Sequence, residues 1–466
     1  MIYALFFLIS LILYFCAPKE FSHLYNILIL ILYVLDFTVM FIKEKVRVLS
    51  YTPLFFVVYF FVNFAYPVFI YPYDATFILQ FRYSFSPDYI NVGSALSLTA
   101  YTAFICGYVY TKKNYRSLTS NIGCVNDRNI VLFTILSMGV LFYNLVLIVP
   151  QIGIGYADAT VPFQSGSLFV MLESALTFLL CYKNRLAIRG NSSIFFSKLQ
   201  IHILMCAVFA GSSLLLGSRE YVLTLILLFV ILYSYYVKPV NAIKMIIGLF
   251  VGVVAFYFIS QVRNSTKISS SRELFELKSW QNGQVNGVWN LASDLIINNR
   301  NLYVGMQYVD DPKHGYTFGY NYIPNLLSPI PFLPSLFSKY ILDTTVVDLT
   351  SQQMLTYYTR DDLGESSLDY ELGTNCVVDV YMAFGLLGVV ILFYLLGVFV
   401  RKLEIRMSYD VFSACIYFVL FTGIVFFCRS SFLGPIKNLV WAYWVCCLCV
   451  NKKNSLEREF QIDRNV

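Results

Sequence analysis

The sequence predicts an all-α polytopic membrane protein, about twelve transmembrane helices with one long outer loop that itself contains short helices. Three observations predict it. Of 466 residues, 58% are hydrophobic and only 13% charged, with a mean hydropathy of +0.67; a soluble domain is about a quarter charged. The apolar residues are gathered into segments near the roughly 20 residues that one bilayer crossing needs. The basic residues alternate from loop to loop, as they do where a chain threads back and forth across a membrane.

The spans read, in order, as 1–17, 24–42, 52–71, 92–110, 129–150, 167–182, 199–216, 221–237, 242–260, 379–400, 411–428 and 433–450. The first has no basic stretch ahead of it, which favours a retained span over a cleaved signal peptide. Every second loop is rich in Lys and Arg: these loops and the tail hold twenty of the 33, and the alternate short loops hold five. That bias puts both termini in the cytoplasm, and an even span count agrees. The chain then divides into 1–260, the first nine spans; 261–378, a loop on the outer side; 379–450, the last three spans; and 451–466, a cytoplasmic tail. The net charge of +6 is mostly orientation signal and carries no indication of nucleic-acid binding. Tyr and Phe, 37 and 42 of them, supply the interfacial belt. The eleven cysteines lie mainly in spans, with only Cys376 in an outer loop, so neither an outer disulfide nor a zinc spacing is available.

The outer loop, Gln261 to Val378, is 118 residues long and carries twelve acidic and eight basic residues. Two stretches in it are apolar and helix-like, Val288–Tyr308 and Tyr322–Tyr340. The second holds Pro324, Pro329, Pro331 and Pro334, which forbid one regular spanning helix. An apolar but broken segment fits the membrane surface or a re-entrant position.

Three arginines sit at outer span ends, against the positive-inside bias: Arg219 in a tight turn, Arg263 after span nine and Arg429 after span eleven. A guanidinium stays charged and offers a planar fork to phosphate oxygens, so three at one depth suit an anionic lipid headgroup; snorkelling to ordinary headgroups competes with that reading. Glu173, inside span six, must face the bundle interior with a partner, Arg219 being one candidate. His314 is the sole histidine of the loop and can serve as a general base, although a lone loop histidine is as often a plain surface residue. The loop carboxylates, Glu371 among them, are alternative bases. Gly315 and Gly319 permit a tight turn presenting Tyr316, Phe318 and Tyr320, whose faces suit a sugar or the membrane interface. The loop has no Asp-x-Asp, and the chain has no P-loop, no dinucleotide-binding glycine pattern and no Gly-x-Ser-x-Gly, so neither metal nor nucleotide cofactor is expected.

Several of these residues together resemble a family. Gly217-Ser218-Arg219-Glu220 after an apolar span, Arg263 two spans later, the aromatic, glycine and proline run from His314 to Pro334, and Tyr381 through Gly388 opening the next span are similar to the bacterial O-antigen and oligosaccharide repeat-unit polymerases of the Wzy type. The resemblance covers about residues 205–400. It implies an inner-membrane glycosyltransferase working at the periplasmic face. Such an enzyme moves a growing glycan from one undecaprenyl diphosphate carrier onto another lipid-linked unit. Arg219, Arg263 and Arg429 would then hold carrier diphosphate, His314 or Glu371 would take the acceptor proton, and Tyr316 and Tyr320 would contact glycan. Its partners would be undecaprenyl-diphosphate-linked oligosaccharides, the bilayer, and a chain-length regulator and flippase of the same pathway. Two other readings stay open: an O-antigen ligase acting on lipid A-core, and a flippase for the same lipid-linked unit, which would be expected to show inverted repeats.

Overall fold

A computed structural model describes residues 2–76, 79–111, 123–148, 164–215, 220–241, 248, 289–341, 346–366, 368 and 370–451. Arg219, Arg263, most of the ninth expected span and residues 452–466 lie outside these residues. Eleven expected spans coincide with apolar helices: α1 (Ile2–Phe15), α2 (His23–Glu44), α3 (Tyr51–Asn63), α4 (Tyr89–Tyr110), α5 (Asp127–Ile148), α6 (Gln164–Lys183), α7 (Ser192–Leu215), α8 (Glu220–Tyr236), and, past the loop, α13 (Cys376–Arg406), α14 (Val411–Thr422) and α15 (Ile436–Cys449). Six of them, α2, α4 to α7 and α13, are long and apolar enough to cross a membrane; the others are 12 to 17 residues long. The chain is therefore an all-α, multi-pass membrane protein.

Local sequence explains why some spans are shorter than expected. The third stops at Asn63 and resumes as a π-helical turn, Tyr66–Ile70, in which the Tyr71 amide reaches back five residues to the Tyr66 carbonyl at 2.9 Å. Pro67 has no amide hydrogen to continue the α pattern, and a wide turn absorbs the break. The eleventh ends at Gly423, and the twelfth begins only after Pro435.

The chain forms two compact units. The first comprises residues 1–112, 285–402 and 424–437. Its core is aromatic: Tyr33 of α2 stacks on Phe56 and lies edge-on to Tyr101, and its hydroxyl donates to the Phe56 carbonyl at 2.5 Å. Helices α4 and α13 cross at Gly107 and Gly397. A Cβ on Gly107 would lie 2.0 Å from the Tyr394 carbonyl oxygen, and one on Gly397 equally close to that of Phe104. Only glycine lets the backbones approach so closely. At the end of this pair Arg401 donates to Glu44 at 2.7 Å and to the Tyr108 hydroxyl at 3.0 Å.

The described residues of 289–378 fold onto the same core. α9 (Asn298–Asp310) is buried for most of its length although it opens on Asn298-Asn299-Arg300-Asn301. Three of these polar side chains reach backbone carbonyls of other segments. Asn299 donates to the Phe61 carbonyl in the last turn of α3 at 3.2 Å, and Asn301 donates to the Leu372 carbonyl at 2.8 Å. Arg300, fully buried, donates to the carbonyls of Ser84 (2.8 Å) and Tyr83 (3.4 Å) and to the Thr359 hydroxyl (3.4 Å). Burial pulls its guanidinium down to about 10, which leaves it charged at neutral pH. The proline-rich stretch forms two short helices, α10 (Ile323–Leu327) and α11 (Leu333–Tyr340), interrupted where the prolines require it. α12 (Ser351–Tyr357), capped by the Thr350 hydroxyl, runs into a second π-helical turn, Tyr358–Asp362.

The second unit comprises residues 113–284, 403–423 and 438–466. A two-residue antiparallel pairing joins Cys124–Val125 to Val450–Asn451. Within its apolar core Glu173 of α6 is fully buried, as the sequence requires, and its partners are neighbouring helices: Ser137 of α5 donates to it at 2.6 Å, and His202 of α7 lies 2.8 Å away. The acid thus sets the register of three helices.

Candidate active site

The sequence brings chemistry-bearing groups together just beyond α9. Asp311 ends that helix, its carboxylate accepts the Lys313 amide at 2.9 Å, and its carbonyl accepts the His314 amide at 3.0 Å. Gly315 follows at φ 90°, a left-handed conformation suited to glycine. This tight reversal folds His314 back against its own helix, where the imidazole stacks on Tyr308 with centroids 4.4 Å apart. Tyr358 meets the imidazole edge-on at 5.2 Å and donates its hydroxyl to Asp311 at 3.2 Å. Four residues after Tyr358, the π-helical turn aims Asp362 at the histidine: Oδ2 is 3.1 Å from His314 Nε2, and Oδ1 accepts from Lys313 Nζ at 3.1 Å.

The bond to Lys313, reinforced by His314, holds the Asp362 carboxyl below the usual carboxylate range. Burial, with Asp311 next, pushes the Tyr358 hydroxyl up to about 12. An ionised Asp362 only accepts hydrogen bonds, so a neutral His314 carries its proton on Nε2 and its lone pair on Nδ1. An imidazole clamped between two aromatic rings and oriented by a carboxylate can receive a proton from a hydroxyl group. Arg300 supports this arrangement from behind: it sits two turns before Tyr308 on α9 and bonds Thr359 in the turn that carries Asp362.

The other expected residues occupy three places. Glu371 accepts from the side-chain amides of Gln352 and Gln353 at the start of α12. Tyr316 and Tyr320 are exposed on the turn that continues from His314, with Tyr316 against Tyr381 and Gly385 of α13. Arg429 donates to the Asp294 carbonyl at 3.3 Å and lies over the Phe426 ring. Asp379 joins the last two groups. Fully buried in the first turn of α13, it accepts from Asn321 Nδ2 at 2.8 Å, from Ser431 Oγ at 2.9 Å and from the Phe432 amide at 2.8 Å. Asn321 in turn accepts from Thr317 Oγ1 at 2.8 Å, and the Thr317 amide donates to the Met382 carbonyl at 2.8 Å. One carboxyl therefore pins both the loop of Tyr316 and Tyr320 and the loop of Arg429. Among the described residues no cluster of His, Cys, Asp and Glu is arranged to hold a metal ion.

Sequence reasoning counts Asp362 and Asp379 only among the acidic candidates, without their partners, and passes over Arg300. Asp362 is 48 positions from His314, so no spacing ties them. Asp379 and Arg300 carried a usable signal, a charge at the mouth of an apolar run or inside an apolar stretch, which calls for a buried partner.

The family model for O-antigen polysaccharide polymerase Wzy matches residues 1–454. The chain belongs to that family. The match takes in the first compact unit, the second as far as residue 454, and every candidate site residue named above. No curated protein and no solved structure matches the chain. As a Wzy family member it is a multi-pass membrane polymerase that acts on lipid-linked oligosaccharide repeat units.

Proposed function

We propose that this polymerase works at the periplasmic face of the inner membrane, with both termini in the cytoplasm, and extends a glycan carried on undecaprenyl diphosphate. A hydroxyl oxygen of the acceptor unit forms a bond to the anomeric carbon of the growing chain. The bond from that carbon to the carrier breaks, and the electron pair leaves with undecaprenyl diphosphate. The hydroxyl proton passes to His314 Nδ1, while Asp362 steadies the imidazole and balances its new charge. Charge grows on the departing diphosphate, where Arg219, Arg263 and Arg429 act by charge and fork geometry. Tyr316 and Tyr320 offer flat faces to the sugar next to the base. The donor is already activated, so no nucleotide is required.

The observation that carries this reading is the His314–Asp362 pair at 3.1 Å inside an aromatic clamp, in a member of this family. The test uses purified protein, lipid-linked repeat units and a gel readout of chain length. His314→Ala should lower turnover by roughly 10²–10⁴ while carrier binding is nearly retained. Asp362→Asn should lower it by less, because a half-exposed imidazole can still reorient in water. Normal polymer from His314→Ala would remove His314 from the chemistry.

A further inference from the structure

The stretch from Tyr316 to Ile341 exposes large apolar side chains to a degree that water does not explain. Phe318 is 78% exposed and Phe332 is 81% exposed. Both also hold left-handed backbone, with φ of 50° and 65°, a region that bulky residues rarely enter. Two strained phenylalanines aimed outward carry a double cost in water, and each cost falls if the ring reaches an apolar medium. From Phe332, which caps the start of α11, the exposure continues onto the helix: Leu336 and Tyr340, four residues apart, are exposed and share one of its faces.

What covers this surface follows from its neighbour. The turn carrying Phe318 packs on α13 at Phe384: a Cβ on Gly319 would lie 3.0 Å from the Phe384 ring, and Tyr322 meets the same ring at 6.0 Å. Beyond the kink at Gly385 (φ 64°), next to Phe384, the exposed Leu387, Ile391 and Leu395 run down α13 with the spacing of a helix face turned to lipid. The depth agrees. From Arg401 at the basic end of α13 the helix runs unbroken back to the kink at Gly385, about 24 Å at 1.5 Å per residue, which leaves about 6 Å of a roughly 30 Å hydrocarbon layer to the residues before the kink. The edge of the acyl layer thus falls at the level where the 316–322 turn leans on the helix.

We infer that Phe318, Phe332 and the Leu336–Tyr340 face are a membrane anchor that dips into the acyl layer of the bilayer beside α13. The anchor fixes the turn bearing His314 at headgroup depth, where a lipid-linked substrate presents its diphosphate. Its membrane contact does not depend on the chemical role proposed for His314.

The test uses the full chain in phospholipid nanodiscs, with p-benzoylphenylalanine replacing Phe318 or Phe332 and, for comparison, the exposed Lys313 or Arg360. After irradiation, mass analysis counts phospholipid adducts. Yields at positions 318 and 332 several-fold above those at 313 and 360 are expected. Equal yields at all four would overturn the anchor. Two other results would also overturn it: adducts that form only after a polyprenyl phosphate is added would assign the surface to the carrier chain, and cross-linked dimers without lipid adducts would assign it to a second copy.

Discussion

Replacing Asp379 tests how far the loop of Tyr316 and Tyr320 and the loop of Arg429 depend on one buried side chain. In Asp379→Ala the Ser431 hydroxyl and the Phe432 backbone amide lose their acceptor, and the Asn321 amide keeps only its bond to the backbone carbonyl of residue 379. A buried donor left unsatisfied costs about 1–3 kcal/mol. Ser431 can turn its hydroxyl elsewhere, so the Phe432 amide remains stranded and Asn321 loses one of its two bonds; together the loss is about 2–4 kcal/mol on the same basis. Asp379→Asn should behave differently. Its oxygen can stay opposite the Phe432 amide, while its nitrogen takes the place that faces Asn321. Asn321 can then flip, accept from the new amide and donate to the Thr317 hydroxyl, 2.8 Å away, which is free to accept. The flip gives up the Asn321 bond to the Asp379 carbonyl, 3.0 Å in the native protein, so the cost is about 1–2 kcal/mol. Thermal unfolding in detergent, followed by tryptophan emission, compares the three proteins. Because Asp379 pins both loops, polymer length should fall in step with stability, and Asp379→Asn should keep most of both. An Ala variant less than 1 kcal/mol below the native protein, or an Asn variant as damaged as Ala, would refute the network argument.

Other expectations are simpler. Arg219→Ala and Arg263→Ala should each abolish or severely shorten the polymer in membranes that still contain the protein, and Lys at either position should rescue only in part, since it lacks the fork; full polymer from both Lys variants and near-normal polymer from both Ala variants would reduce these residues to lipid anchors. Arg300→Ala should lower stability by about 4 kcal/mol, through a cavity and the stranded carbonyls of Tyr83 and Ser84, and the unfolding midpoint in detergent reads it directly. Gly397→Leu should force α4 and α13 apart at a cost of about 3 kcal/mol or more in the same assay, whereas Gly211→Leu, where a Cβ meets nothing within 4 Å, should be almost silent.

Much of this protein follows from short-range information. The apolar segments dictated helices because a backbone in lipid must satisfy its own hydrogen bonds. The prolines of 324–334 dictated two short helices in place of one, and the buried Glu173 required a partner. The family resemblance was legible from an ordered set of local motifs. His314 could be singled out as the only loop histidine, but nothing near it in sequence says whether it is oriented or merely exposed.

Tertiary structure alone decided the rest, and the physical reason is the same each time. A hydrogen bond, a ring contact or a close backbone crossing is a relation between residues distant in the chain, and no period in the sequence encodes it. Asp362 orients His314 only because a π-helical turn beyond α12 folds back on the end of α9. Asp379 became a hub because α13 enters its unit between the 317–321 turn and the 430–432 loop, and Glu173 chose His202 because α6 and α7 pack side by side. The exposure of Phe318 and Phe332 was settled in the same way: composition marks these residues as apolar, while the turns they occupy decide that they face outward.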